Sequence, residues 1–187
     1  MACNNLSSGR LEVCKDSVGG LASVYFLNYT SASFSHSLDP GSYITGFPSG
    51  SLVYKYELKG NSSYTETVNS SRDNGTTFFN QELVLNVKKL TQEMTTQLKV
   101  MAWSRPQIVV HTMAGDALLI GEREGCDLTA GTIQTGGTLG DLYGYSITFT
   151  GQEQYNASFI TGSTFADPFA GLAGNGKPIV SSTYQTI

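Results

Sequence analysis

The sequence Thr77-Phe-Phe-Asn-Gln-Glu-Leu-Val-Leu-Asn-Val-Lys-Lys-Leu90 leads without a break into Thr91-Gln-Glu-Met-Thr-Thr-Gln-Leu-Lys-Val-Met-Ala-Trp103. Along the first part, side chains alternate between two faces, and Phe79, Leu83 and Leu85 fall on the same one. This period of two predicts a β-strand, which at about 3.3 Å per residue would extend on the order of 40 Å. Strands in globular proteins are usually much shorter. We therefore expect a strand that reaches past its own domain.

The second part of this stretch has the pattern of an amphipathic helix. Apolar side chains recur at positions i, i+4, i+8 and i+11, which are Leu90, Met94, Leu98 and Met101. A helix with this spacing packs one side against a core. Thr91 is a suitable N-cap, and Pro106 disfavours helical backbone at the residue before it. We predict one helix over residues 91–103, flanking the β structure.

Shorter segments on both sides also have strand or turn patterns. The predicted strands cover residues 21–29, 51–59, 63–69 and 142–150, with a hairpin at 107–123 that turns at Gly115-Asp116. In residues 51–59 the alternation predicts that Leu52, Tyr54, Tyr56 and Leu58 face the core. Asn74-Gly75 marks a turn. We predict a loop with one short strand at 30–50 and an extended, flexible loop at 125–140.

The order of strands, one helix and further strands predicts a mainly β (β+α) fold. The expected architecture is an antiparallel β-sandwich or barrel with one flanking helix at about 91–103 and long loops. We expect an N-terminal arm at residues 1–20, a β domain at 21–154 and an extended C-terminal tail at 155–187 that docks on another surface.

Composition narrows the range of functions. The chain has 187 residues and a net charge of −4, and 14% of its residues are charged, against about 25% in typical soluble domains. Its surface would repel other copies only weakly, which suits a protein that packs against further chains.

The mild acidity gives no reason for broad nucleic-acid binding, and no apolar run approaches the length of a membrane helix. The N-terminus lacks a signal-peptide pattern. Cys3, Cys14 and Cys126 match no metal or redox motif, and whether Cys3 and Cys14 pair is open.

No group of residues indicates catalysis, so we predict no catalytic, cofactor or metal residues and no enzyme activity. His36 and His111 are isolated, and we expect structural roles for both. The carboxylates of Glu122, Glu124, Asp127 and Asp141 are the only basis for a hydrolase, and we expect them to be solvated or to make polar contacts between subunits. Residues 171–177 have P-loop glycine spacing, but proline follows where a magnesium-binding hydroxyl is required.

The strand at 77–90 with its helix, the hairpin at 107–123 and the Gly/Thr-rich stretch at 136–153 resemble the tail-tube and tail-ring proteins, including neck or terminator-like proteins, of tailed bacteriophages. That family is similar to the tube proteins of contractile injection systems. The resemblance covers about half the chain and implies a sandwich or barrel with one outer helix. It also implies that copies join edge to edge into a continuous barrel lining a channel for DNA.

The resemblance leads to a set of expectations about function. We expect a non-enzymatic virion protein that forms homomeric rings. Six subunits per ring are expected, and twelve is the other candidate. Its partners would be other tail, neck or portal proteins, and DNA would pass through the lumen without specific binding. It would be made in the host cytoplasm and reside in the tail or neck, with no cofactor, small-molecule substrate or membrane contact. Tube, neck, terminator and hub positions stay open, as do the residues that face the lumen.

The alternative hypothesis is a β-sandwich binding module, either an adhesin or a carbohydrate-binding domain. Its expected binding surface is an aromatic platform made by Tyr43, Tyr54, Tyr56, Tyr143 and Tyr145. The ring hypothesis has a physical argument in its favour. The strand at 77–90 contains no proline, and its only lysines stand at its far end, so its edge lacks the usual protection against pairing with another chain.

Overall fold

The computed structural model describes residues 9–10, 15, 17–38 and 42–181. In that part of the chain, the elements are β1 (Leu21–Leu27), β2 (Ser35–His36), β3 (Ile44–Gly46), β4 (Leu52–Glu57), β5 (Ser63–Ser71), β6 (Thr76–Lys88), α1 (Gln92–Trp103), β7 (Gln107–Thr112), β8 (Ala117–Ile120), β9 (Asp127–Gln134), β10 (Gly144–Glu153), β11 (Ser158–Phe159) and β12 (Ile179–Ser181). The prediction of a mainly β fold with one helix is confirmed. Most of the expected N-terminal arm, with Cys3 and Cys14, lies outside the described residues.

Two main sheets pack face to face. The larger has the order β11-β8-β7-β1-β4-β12, and the smaller has the order β5-β6-β10-β9. All neighbours are antiparallel except β12, which pairs with β4 in parallel. The predicted hairpin at 107–123 is present as β7 and β8. A third, two-stranded sheet is made by β2 and β3, where the sequence predicted one short strand.

The central strands of the larger sheet are buried on both faces. On one side, Val24 and Phe26 of β1 meet Leu83, Ile147 and Phe149 of the smaller sheet in the main core; the Phe26 and Phe149 ring centroids are 5.4 Å apart. On the other side, a second core contains these buried residues: Tyr25, Leu27, Val53, Val109, Leu119, Ile44, Phe47, Ile160, Phe169 and Leu172. A sheet covered on both faces needs almost continuous apolar strands, and β1 and β7 have that character.

The segment expected as a C-terminal tail contributes to this second core. Ile160, Phe169 and Leu172 are buried there, and the Phe169 ring packs edge-on against Tyr25 at 5.2 Å. Strands β11 and β12 also close the two ends of the larger sheet. The segment therefore lies on the same body as the β domain.

The predicted flexible loop at 125–140 is wrong for its first half, because residues 127–134 form strand β9. Its glycine content suggested a loop, yet Gly131 pairs with Ile147 within a regular ladder. The neighbouring threonines favour extended backbone, and pairing with β10 supplies the hydrogen bonds. Tertiary pairing outweighs the weak local preference of one glycine in a strand.

The predicted core face of β4 is also wrong in part. Leu52 and Tyr54 are 40% and 39% exposed, whereas Val53 on the opposite face is fully buried. The alternation itself is correct, but the smaller sheet does not cover this part of β4. Val53 lies in the second core, whose existence a single alternating strand does not reveal.

The helix is present where the sequence predicts it, and its N-terminus is fixed by Thr91. The Thr91 hydroxyl accepts a hydrogen bond from the Met94 amide at 3.1 Å. The buried Tyr145 hydroxyl donates to the Thr91 carbonyl at 2.9 Å and lies 2.7 Å from the Thr95 hydroxyl, so the helix start is attached to β10.

We expect Thr91→Ala to lower the free energy of unfolding by about 1 kcal/mol, because the helix loses its side-chain N-cap. Thr91→Ser keeps a hydroxyl and is the matched control, with little expected loss. Urea unfolding followed by circular dichroism measures the difference. Equal stability of the alanine variant and the wild type would contradict the assigned cap.

Candidate functional site

The smaller sheet is open at both edges. Within the described ranges, neither β5 nor β9 has a strand on its outer side. The long strand β6 is not an edge, because it pairs with β5 and β10 along its length. The sequence argument placed the unprotected edge on β6, and that placement is wrong. The unpaired backbone groups belong instead to the nine residues of β5 and the eight of β9.

The two edge strands carry little of the usual protection. Natural edge strands avoid pairing with other chains through proline, lysine, bulges or shortness. Strands β5 and β9 contain no proline and no lysine. Glu66 is the one charged residue of β5, and it points inward, where it accepts hydrogen bonds from Gln81 and Ala157; an inward-pointing charge gives an edge some protection. A shift in register at Thr148 and Phe149 affects only the first part of β9. Both edges can therefore accept a further strand.

The side of this sheet that faces away from the larger sheet is almost uncharged. The registers place the following polar or small side chains on it: Ser63, Thr65, Thr67, Asn69, Asn80, Asn86, Ala130, Thr132, Gln134, Ser146, Thr148, Thr150 and Gln152. Glu82 and Asp127 share one cross-strand row with Thr65 and Thr150, and Lys88 lies at the end of β6. We call this surface the outer face.

Two carboxylates, the buried Glu153 and the partly buried Glu66, hold the chain where it crosses between the sheets. Glu153, at the end of β10, accepts hydrogen bonds from the amides of Arg123 and Glu124, both at 2.9 Å. Glu66 accepts from the Ala157 amide at 2.9 Å and from the Gln81 side chain at 3.2 Å. These amides belong to the β8–β9 and β10–β11 connections. Glu153 therefore holds the chain that leads into the β9 edge strand, and Glu66 holds the chain that leads into β11.

The sequence analysis did not identify this polar cluster. The signal was present, because the alternation in β6 and β10 already turns Gln81 and Glu153 toward the core with Leu83 and Phe149. A polar residue on a buried face requires hydrogen-bond partners inside the fold. For Gln81 and Glu153, these partners include backbone amides that are distant in sequence. The pattern of a single strand does not identify them.

Burial raises the pKa of Glu153 above its usual value, although the two amide hydrogen bonds oppose that shift. The folded protein therefore binds this proton more tightly than the unfolded chain does. The contribution of Glu153 to stability is therefore largest at low pH. It falls as the pH rises from the pKa of this carboxyl in the unfolded chain through its raised pKa in the folded protein.

We expect Glu153→Gln to remove that pH dependence while its side-chain oxygen still accepts the two amides. Relative to the variant, the wild type should lose stability as the pH rises above the usual pKa of a glutamate side chain. Urea midpoints measured across this rise in pH test the expectation. A stability difference that stays constant with pH would contradict it.

The two histidines contact different residues and do not form a common site. The His36 Nε2 lies 3.0 Å from the Glu122 carboxylate, which also accepts from the Ser158 hydroxyl at 3.0 Å. A surface cleft of about 250 Å³ lies beside the pair. His111 is buried between Ser23 and the Thr164 carbonyl, and burial lowers its pKa.

The carboxylates considered for a hydrolase have separate partners. Glu122 pairs with His36, and Glu124 lies 4.0 Å from the Arg105 guanidinium. Asp141 accepts from the amides of Gly137 and Thr138, and Asp127 lies on the outer face. The structure brings these groups into no common pocket.

The remaining candidates are also dispersed. Lys177 of the P-loop-like stretch pairs with Asp167 at 2.8 Å, and residues 174–176 form a short 3₁₀ turn. Among the tyrosines of the expected aromatic platform, Tyr145 is fully buried, whereas Tyr43 and Tyr143 are more than half exposed. Tyr43 packs instead near Phe159, with 6.3 Å between ring centroids.

Cys126 is a free, buried thiol, and burial raises its pKa to about 12. In the described part of the chain, no three His, Cys, Asp or Glu side chains are placed to hold a metal ion. No helix within the same residues has the length and apolar composition needed to cross a membrane.

Comparison with known proteins found no matching family model, curated protein or solved structure.

Proposed function

We propose that this protein is a structural component of a bacteriophage virion that assembles into homomeric rings of the tail or neck. The observation that carries the proposal is the smaller sheet, which has a long edge with little protection on each of its two sides. Such edges are normally avoided in monomers because they pair with other chains. Ring closure is a way to remove both of them at once.

The strand directions allow this closure. Because β5, β6, β10 and β9 alternate in direction, the two edge strands run in opposite directions. Strand β9 of one copy can therefore pair in antiparallel fashion with β5 of the next. This contact is head-to-tail, and repeated copies close into a ring if the rotation between them permits.

A six-membered ring would give a channel of useful width. Each copy contributes four strands. With six copies, a strand spacing of about 4.8 Å and a tilt of about 40° give a backbone diameter of roughly 45–50 Å. Membrane barrels with fewer strands already enclose an aqueous channel. The proposed ring has room for a nucleic-acid duplex.

The outer face suits the wall of such a channel. DNA binds proteins mainly through lysine and arginine contacts to phosphate. On the outer face, hydroxyl and amide groups predominate, and the row with Glu82 and Asp127 is acidic. A wall of this composition would let DNA pass without holding it. The composition of the outer face therefore supports the proposal that DNA passes through the ring.

Electron microscopy and native mass spectrometry of the full chain test the proposal. The expected result is a ring with a central channel and a discrete mass of six subunits. A monomer that persists at high concentration would overturn the proposal.

A further inference from the structure

A cleft lies at the end of the larger sheet where β1 ends, β7 begins and β8 ends. It is lined by residues 29–34, His36, Glu122 and Arg123, and its volume is about 250 Å³. None of these residues belongs to the outer face. Pockets for drug-sized ligands measure about 300–1,000 Å³. The size of the cleft therefore suits one small molecule.

Hydrogen bonds hold the two walls of the cleft together. The Tyr29 hydroxyl donates to the Arg123 carbonyl at 2.8 Å. The side-chain amide of Gln107, which is fully buried, donates to the carbonyls of Thr30 and Glu122 at 3.2 and 2.7 Å. Because these bonds already fix the walls, a ligand would bind without the cost of ordering them.

Two buried polar atoms beside the cleft have no hydrogen bond within the described residues. They are the Nε2 of His36 and the Oε1 of Gln107. The His36 Nε2 lies 3.0 Å from the Glu122 carboxylate, but it is not aligned for a hydrogen bond. Native proteins leave few buried polar atoms unpaired. A ligand hydroxyl, or a water that the ligand orients, is the kind of partner that such atoms require.

The lining of the cleft carries balanced charge and several hydroxyl groups. Glu122 and Arg123 contribute one negative and one positive charge, and Thr30, Ser31 and Ser33 contribute hydroxyls. An anion such as phosphate would lie against the Glu122 carboxylate. A fully apolar molecule would leave these polar groups without partners. The lining therefore favours a neutral ligand that has several hydroxyl groups.

An aromatic ring forms part of the same wall. Tyr29 is 40% exposed, and the Arg105 guanidinium lies 5.0 Å from the centroid of its ring. Tyrosine combines an apolar ring with a polar end, so it can contact the C–H groups of a ligand whose hydroxyls bind elsewhere.

We propose that this cleft binds a single sugar ring. Tyr29 contacts the C–H groups of the sugar, and the side chains of Glu122 and Arg123 bind its hydroxyls. Sugar binding goes beyond the proposed function and does not depend on ring formation.

NMR spectroscopy of the full chain with simple sugars tests the proposal. The chain has two histidines, and His111 lies near the other end of β7, away from the cleft. The probes are the methyl glycosides of glucose, galactose, mannose and N-acetylglucosamine, added at constant pH. At least one of them should shift the ring signals of His36 in a saturable way, with an affinity in the millimolar range. The ring signals of His111 should not move, and inorganic phosphate should shift neither histidine.

Two substitutions connect this signal to the cleft. Glu122→Gln should weaken sugar binding by about tenfold, because a charged acceptor makes the stronger hydrogen bond. Glu124→Gln is the matched control, since it removes the same charge from a side chain that is 70% exposed and outside the cleft. It should bind as the wild type does. Ser33→Phe places a large side chain in the cleft from an exposed loop position and should abolish binding. Thermal unfolding checks that each variant is folded.

Several results would overturn the proposal. They are the absence of a His36 shift with all four sugars, an equal shift of His111, and unchanged binding in folded Glu122→Gln or Ser33→Phe. Equal weakening in Glu124→Gln would also contradict it. A shift with phosphate and none with sugars would make the cleft an anion site instead. A protein that binds sugar but forms no ring fails only the proposed function, so the two failures are distinguishable.

Discussion

A proline at a β9 position whose backbone N–H points away from β10 is expected to abolish ring formation, while the monomer stays folded. Consecutive strand residues direct their N–H groups to opposite sides, and Gly131 and Thr132 are consecutive residues in the regular part of β9. Proline removes the N–H group at its position. Of Gly131→Pro and Thr132→Pro, one loses a bond to β10 and is destabilised. The other proline variant loses only the N–H group that would bond to the neighbouring copy.

Native mass spectrometry and thermal unfolding together separate these two effects. The variant that unfolds at nearly the wild-type temperature should be monomeric where the wild type is a ring. Thr132→Ser keeps the backbone N–H and is the control, with rings expected. If the folded proline variant still forms rings, β9 does not supply the contact between copies.

Reversing the acidic row of the outer face should make assembled rings retain DNA. The double variant Glu82→Lys/Asp127→Lys changes two negative charges into two positive charges in each copy, all in one row of the proposed wall. A short duplex should sediment with variant rings at about 50 mM salt and bind on the order of a thousandfold more weakly near 200 mM. Wild-type rings should not retain the duplex.

A second double variant separates charge placement from net charge. Glu93 on the helix and Asp116 at the β7–β8 turn are exposed away from the outer face. Glu93→Lys/Asp116→Lys therefore makes the same charge change elsewhere and should retain far less duplex. Equal retention by both double variants would show that the outer face is not the wall of the channel.

The sequence was sufficient to predict the central elements of the fold. The alternation in residues 77–90 and the stripe of Met94, Leu98 and Met101 correspond to β6 and α1 as found. Both patterns are long, and each has one buried side, so local periodicity reports burial directly. The Asn74-Gly75 turn and the β7–β8 hairpin were predicted for the same reason, since their signals lie within a few residues.

Features that depend on long-range pairing were not predictable in this way. Strand β9 has a glycine and exposed threonines, and its identity as a strand comes from β10. The burial of Val53 comes from a second core built partly by Phe169, more than one hundred residues later in the chain. The open edges likewise follow from the strand order, because β6 is flanked on both sides and leaves β5 and β9 exposed.

The roles of buried polar residues were the least accessible to sequence reasoning. Gln81 bridges the carboxylate of Glu66, which lies opposite it in the β5–β6 hairpin, and the amide of Gly121, 40 residues away. The hairpin pattern pairs Gln81 with Glu66, but it does not indicate the contact with Gly121. Of the carboxylates that sequence reasoning did single out, Glu122 contacts the His36 ring and Asp127 lies on the outer face.

A cryo-electron microscopy reconstruction of the assembled particle tests the central claim most directly. The account predicts a closed barrel in which β9 of each copy is hydrogen-bonded, antiparallel, to β5 of the next, with Glu82 and Asp127 facing the lumen. An assembly held together through other surfaces, with both β5 and β9 left unpaired, would contradict it.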